Sequence, residues 1–347
     1  MKDKRMAIFY AIMAAVFYAV NTPISKILLN DIPVKFMASF LYIGAGIGVG
    51  IMYLFHWKKE DKKERLVKSD LPYTIGMILL DIFAPIFMMA GIKLGTASNA
   101  SLLGNFEILA TSIIALCIFK EKVSKMLWVA MGFITFSSII LSFEGTGSFQ
   151  FSYGSLFVIL ATICWGLENN CTRKISEKST YQIVVLKGIF SGIGSFIIAE
   201  VTGEKLPPVR LIITAMILGY VAYGLSIFMY IKAQRTIWAT KTSAYYSLAP
   251  FIGAFLSFVF VGEKLSISYL IALVIMLIGT AFVVLDTLMK NHIHVHSHVI
   301  THEHNGVKHE HIFEHSHFHK HFTDEIYHSH KHSNKEIETM LLQAHMN

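Results

Sequence analysis

The chain has 347 residues, 54% of them hydrophobic and only 15% charged, with a net charge of +7. A soluble protein carries roughly 25% charged residues, so this composition excludes an ordinary water-soluble domain. The positive charge sits between long apolar runs, which makes a membrane surface rather than nucleic acid its natural neighbour.

Apolar runs near the length that crosses a bilayer core, about 20 residues, fall at 6–28, 34–55, 72–91, 97–118, 125–143, 152–172, 181–200, 208–231, 241–260 and 267–288. They predict an all-α integral membrane protein with ten transmembrane helices. The first run follows MKDKR directly, is too long for a signal peptide and has no small-residue cleavage site; it is expected to be retained as a helix. With the N-terminus in the cytoplasm, the inner connections hold eighteen Lys and Arg before the tail and the outer ones five. Positive charge is kept on the cytoplasmic side, so N- and C-termini are expected to be cytoplasmic and the protein to be multi-pass in the plasma membrane. Cys117, Cys164 and Cys171 lie in or at the ends of spans, where they read as reduced packing residues and not as a disulfide framework.

A short passage occurs twice. FKEKVS (119–124) ends one apolar run and precedes another, and VGEKLS (261–266) does the same 142 positions later. The runs before them also align, ASNASLLGNFEILATSIIALCI (97–118) with ATKTSAYYSLAPFIGAFLSFVF (239–260). Span one, with Tyr18 and Lys26, aligns with span six, with Trp165 and Arg173. The chain therefore divides into a repeat at 6–143, a second at 152–288 and a tail at 289–347. Each repeat has five spans, an odd number, so the two must be inverted relative to each other, an arrangement used for alternating access around a midplane site.

With these features the chain resembles the EamA family of the drug/metabolite transporter superfamily over residues 6–288. The resemblance rests on the five-plus-five duplication and the Glu-Lys-x-Ser turn between the fourth and fifth spans of each half. It implies a permease, often an exporter, with no catalytic residues. It also implies that Glu121, Lys122, Glu263 and Lys264 are structural signatures, and that Pro250 in span nine is the family proline. The equivalent stretch of span four, Asn105-Phe106-Glu107-Ile108, lacks that proline and carries a carboxylate instead.

Ionisable residues inside a bilayer are costly and face a cavity or a partner. Asp81 in span three, Glu107 in span four and Glu168 in span six qualify, with Lys187 in span seven. Together with Asn169, Asn170, Asn21, Asn105 and Tyr245 they form the candidate substrate and coupling set. Glu107 is the leading candidate for a carboxylate that binds a proton or cation. The blander reading is that an acid pairs with Lys187 and merely joins two helices, or that Lys187 snorkels to the interface. Tyr245, Tyr246 and Trp165 are candidate lining residues. Pro23, Pro85 and Pro250 are expected to kink their spans, and Asn21-Thr22-Pro23 aligns with Glu168-Asn169-Asn170 as a polar break in both halves. Gly44 and Gly48, Gly46 and Gly50, and Gly188 and Gly192 have the spacing of close helix contacts.

Residues 289–347 are of another composition and are expected to be largely disordered. They hold all but one of the seventeen histidines, His56 being the exception. The HxH runs supply His292, His294, His296, His298, His302, His304, His309, His311, His315, His317, His319, His321, His328, His330 and His332 as metal ligands. Alternate residues of an extended chain share a face, and imidazole suits zinc, nickel, cobalt and copper. No cofactor is otherwise required.

The sequence thus points to a secondary transporter moving a small metabolite, amine or cation, with export expected and a metal-binding cytoplasmic tail. A divalent transition-metal transporter and a membrane-tethered metal sensor or store are the alternatives, and an enzyme is not expected. The expected partners are the lipid bilayer and a small-molecule or cation substrate, with a homodimer left open and nucleic acid excluded.

Overall fold

A computed structural model describes residues 2–60, 62–119, 124–144, 150–175, 177–264, 266–288, 290–304 and 307–321. They divide into two units, Met1–Asp286 and Thr287–Asn347.

The first unit is helical. Its helices are α1 (Lys2–Ala19), α2 (Asn21–Leu28), α3 (Val34–His56), α4 (Leu71–Leu94), α5 (Ala97–Leu103), α6 (Phe106–Phe119), α7 (Lys125–Ser142), α8 (Tyr153–Lys174), α9 (Thr180–Val201), α10 (Val209–Gly219), α11 (Ser226–Tyr246), α12 (Ala249–Val261) and α13 (Ile267–Leu288). Two short strands, β1 (Phe143–Glu144) and β2 (Gln150–Phe151), pair antiparallel between the halves. Among the described residues, eight helical stretches are long and apolar enough to cross a membrane. Two of the ten expected spans fall outside that measure for visible reasons. Helix α8 carries Glu168, Asn169, Asn170, Arg173 and Lys174, and α12 has only 13 residues.

The outward faces are apolar: Phe55 is 83% exposed, Leu54 71% and Phe255 64%. So much exposed apolar surface has lipid as its natural solvent. The interior uses small residues and hydroxyls. Ser39 donates to the Gly192 carbonyl at 2.8 Å, and Ser191 and Ser195 to the carbonyls of Ile78 and Ile82 at 3.1 and 3.2 Å. Where α3 crosses α9, a Cβ on Gly46 would lie 2.7 Å from the Ile189 nitrogen, and one on Gly188 would lie 2.5 Å from the Gly46 nitrogen. Gly44, Gly48 and Gly192 are equally crowded, whereas Gly50 is not. Gly188→Val is therefore expected to cost about 1–3 kcal/mol or more, read as a lowered melting temperature in detergent, and Gly50→Ala is expected to cost little.

Packing is repeated between the halves. Helix α4 lies along α8, as α11 lies along α1; α3 packs on α10, as α9 packs on α4; and α3 and α9 pack on each other. Exchanging the halves, span one for span six and so on, maps these contacts onto one another. Among the described residues the exchange fails at several contacts, those of α3 with α4 and of α6 with α7 included. Helix α5 packs on α12, but no comparable packing joins α6 to α11 among the described residues.

The repeated turn now has a physical meaning. Ser124 accepts from the Leu127 amide at 3.0 Å and Ser266 from the Tyr269 amide at 3.1 Å, so each repeated serine caps the helix that follows it. Glu263 reaches across to the other half, where its two oxygens accept from the Ala97 and Ser98 amides at 2.6 and 2.9 Å, the exposed donors at the start of α5. Glu121 and Lys122 lie outside the described residues, and Lys264 is exposed. Glu204 plays the same part at the start of α3, accepting from the Lys35 and Phe36 amides at 3.0 and 3.2 Å. Glu60 takes the Ser179 hydroxyl at the start of α9. Each contact joins chain ends that an alternating up-and-down path puts on one side. Glu263→Gln is expected to lower stability by about 2 kcal/mol through loss of charge-assisted bonds, checked by thermal melting.

Two expectations are revised. The interval 232–240 between the eighth and ninth expected spans continues α11, because it contains Lys, Ala, Gln and Arg and no Gly or Pro. Helix α8 runs unbroken through Glu168-Asn169-Asn170, so the polar break at Asn21-Thr22-Pro23 has no equivalent there.

In the second unit, β3 (Lys290–His304) and β4 (Val307–His321) pair antiparallel, from Lys290 opposite His321 to His304 opposite Val307. Asn305 and Gly306, between them in the sequence, lie outside the described residues. His328, His330 and His332 lie outside the described residues.

Candidate functional site

Four spans depart from regular helix near mid-length. Helices α1 and α2 are separated at Val20, where Pro23 removes a donor and Ile24 N to Val20 O stretches to 3.4 Å. Helices α5 and α6 are separated at Gly104-Asn105, and α11 and α12 at Ser247-Leu248, with Pro250 in the first turn of α12. Tyr220–Leu225 is a π-helical stretch between α10 and α11. Such irregular backbone at membrane depth is tolerated where it faces protein or a cavity. Pro85, by contrast, lies within the continuous helix α4.

The buried charges meet here. Lys187 of α9 lies 2.9 Å from Asp81 Oδ2 of α4 and 3.0 Å from Glu168 Oε1 of α8. The acid side chains are 0% and 3% exposed and the lysine 17%, so the ammonium turns inward and does not snorkel. Tyr42 donates to Asp81 Oδ1 at 3.1 Å, Trp165 Nε1 donates to Tyr42 Oη at 3.3 Å, and Thr172 donates to Glu168. Two carboxylates thus share one cation, and hydroxyl donors take up further lone pairs, the arrangement that makes a buried ion pair tolerable.

Glu107 is different. It stands in the first turn of α6, just after the break, and is only half-buried. Asn169 donates to its Oε1 at 2.6 Å. Consecutive residues of a helix point about 100° apart, which lets Glu168 and Asn169 serve separate clusters. No Lys, Arg or His pairs with Glu107 at salt-bridge distance among the described residues. Tyr18, Tyr223 and Tyr246, and also Glu168 and Lys187, are within electrostatic reach of its carboxylate. The rings of Tyr18 and Tyr223 are 5.8 Å apart, those of Tyr18 and Tyr246 also 5.8 Å, and those of Tyr42 and Tyr223 5.3 Å. Asn21 donates to Tyr223 Oη at 3.1 Å, which ties the break in span one to the π-helical stretch. Asn105 gives its amide hydrogens to Leu102 O at 3.3 Å and leaves Oδ1 buried without a partner.

The structure therefore gathers Glu107, Asn169, Asn105 and Asn21 around the broken spans, with Asp81 and Glu168 beside them in the lysine cluster. Asn170 donates to the Gly166 and Thr111 carbonyls at 2.8 and 3.4 Å and holds α8 against α6. Tyr245 sits elsewhere, against Ala7, Ala11 and Ala233; its neighbour Tyr246 faces the site. Sequence reasoning missed Tyr18, Tyr42 and Tyr223. The available signal was a tyrosine far from either interface belt, whose hydroxyl must find a partner. Among the residues whose side chains are described, no three His, Cys, Asp or Glu groups are placed to hold a metal ion. A separate cavity of about 210 Å³ lies between α3, α9 and α11, lined by Val49, His56, Thr180, Tyr181, Phe228 and Lys232 among others. It has basic groups and no carboxylate.

The pattern of the EamA-like transporter family matches this chain twice, over 5–143 and 152–285. An "Uncharacterized transporter" of Methanothermobacter thermautotrophicus is 25% identical over 291 residues, covering 77% of this chain and 83% of its own. The "Uncharacterized transporter YyaM" of Bacillus subtilis is 25% identical over 230 residues, 63% of this chain and 74% of its own. A solved crystal structure superposes with a TM-score of 0.61 at 15% identity, covering 81% of this chain and 96% of that one. It shares the fold.

Proposed function

For a chain that belongs to the EamA-like transporter family, we propose that its activity is secondary transport of a small cationic amine by alternating access, with Glu107 as the substrate carboxylate. The observation that carries this reading is Glu107, a partly buried acid just after the break in its span, with Tyr18, Tyr223 and Tyr246 within electrostatic reach and no Lys, Arg or His at salt-bridge distance among the described residues. An ammonium group placed there gains the carboxylate and the faces of the tyrosines together. The unpartnered Asn105 Oδ1 offers an acceptor for an N–H. Protons are the natural coupling ion, since a carboxylate that releases an amine inside a membrane is best left neutral.

In the proposed orientation, with cytoplasmic termini in the plasma membrane, the end closed by α5, α12 and Glu263 is the outer one. A metal-ion substrate finds less support, because Asp81 and Glu168 already share Lys187 and do not converge with Glu107 on one ion. A mere membrane anchor would need no carboxylate without a salt-bridge partner at this depth.

The test is purified protein in liposomes, given a pH gradient and a panel of primary, secondary and quaternary amines, neutral amino acids and divalent metals. Proton-coupled movement of at least one amine class is expected. Movement of neutral solutes or metals alone, or of nothing, overturns the reading.

A further inference from the structure

The register of the tail ribbon sorts its residues. β3 and β4 pair so that His292 faces His319, His294 faces His317, His296 faces His315 and His302 faces His309. Successive residues of a strand alternate between faces, and directly opposed residues share one. Counting outward from these pairs, His298, His304, His311 and His321 fall on the same face. All twelve histidines of the ribbon therefore occupy one face. The other face has Ile293 opposite Phe318 and Val299 opposite Ile312, with the acidic and other charged positions Glu303, Lys308, Glu310, Glu314 and Lys320 and no histidine.

We propose that this hairpin is a metal-binding element, in which facing histidines hold borderline divalent transition-metal ions such as zinc or nickel. The proposal does not rest on the transport reading. Directly opposed strand positions have Cβ atoms about 4.5–5.5 Å apart, and next-but-one positions lie about 6.6–6.8 Å along the strand. Such backbone spacings suit histidine positions to a four-ligand tetrahedral ion of the kind zinc takes. Two adjacent facing pairs supply the four ligands of a tetrahedral ion. The contiguous block of His292, His294 and His296 opposite His319, His317 and His315 is one such site. His302 and His309, flanked by His304 and His311, are a second, so the ribbon takes about two ions.

Energetics point the same way. An isolated two-stranded hairpin is marginal in water, and opposed imidazoles repel one another when protonated. Ligation across the strands removes that repulsion and ties binding to folding of the ribbon. Neutral imidazole selects transition metals over magnesium or calcium, whose ligands are oxygens.

Zinc and nickel are titrated into the full chain in detergent, with stoichiometry and affinity read by calorimetry against a competing chelator. Two double variants remove equal numbers of histidines. His294→Ala with His317→Ala deletes the central facing pair of the block, and His298→Ala with His321→Ala deletes two histidines that face Phe313 and Lys290. The first is expected to weaken binding by on the order of tenfold or more, since even outer-shell losses cost that much, and the second to weaken it by markedly less. Equal losses in both variants would show that composition and not register governs binding, and would overturn the proposal. So would unchanged binding in both, or a parent chain that binds no more metal than one ending at Leu288. Thermal melting of the helical unit is expected to be the same in all of them.

Discussion

Glu107→Gln is expected to lower amine transport by about 100-fold, equivalent to about 3 kcal/mol for a lost charge-assisted contact, while the protein melts at nearly the parent temperature. The asymmetry follows from the geometry. Glutamine keeps an oxygen to accept from Asn169, so the link between α6 and α8 survives, and only the charge is removed. Glu107→Asp keeps the charge but withdraws it by a methylene, and is expected to retain part of the activity with weakened apparent affinity. Proteoliposome uptake measured alongside detergent melting separates the two effects. Transport that survives the loss of charge, or a melting temperature that falls with it, would reduce Glu107 to a packing residue.

Lys187→Met is expected to act in the opposite way, on the fold first. Removing the ammonium leaves Asp81 and Glu168 buried and uncompensated, and breaking a buried ion pair from one side costs about 3–5 kcal/mol. Because both acids are almost wholly buried, water cannot replace the lost partner. The triple variant Lys187→Met, Asp81→Asn, Glu168→Gln should recover most of that stability, since neutral amides still accept from Tyr42 and Thr172. Detergent melting curves of the single and triple variants decide the matter. A single variant as stable as the parent would mean that the acids are already neutral without the lysine.

These two residues also show what the linear sequence carries and what it hides. Their cost inside a bilayer makes both visible as exceptions in apolar runs, and the serine and glutamate of the repeated turn are legible as corner residues. Partnership is another matter. Lys187 is 106 residues from Asp81 and 19 from Glu168, and nothing in spacing decides whether its ammonium turns to them or to the interface. The choice between Tyr245 and Tyr246 depends on helical phase at a break, where phase is lost. The unbroken course of α8 was hidden because Glu-Asn-Asn reads as a polar interruption, yet its amides and acid are satisfied by side chains and carbonyls of α6, α8 and α9. The tail is the reverse case. Its HxH spacing, which puts alternate residues of an extended chain on one face, is legible in the sequence, whereas the register of its pairing is not.

The crossing of α3 and α9 through Gly46 and Gly188 has a consequence for how rates and equilibria separate. Each glycine backs onto the other, so exchanging the halves exchanges the pair and leaves the contact unchanged. If the two working states are related by that exchange, a matched substitution of both glycines at this fulcrum raises or lowers both states by the same amount. It can slow the cycle, but it cannot tilt the resting balance toward either side of the membrane. Leverage over direction belongs to residues away from the fulcrum, such as Glu263, whose contacts are made at one end only.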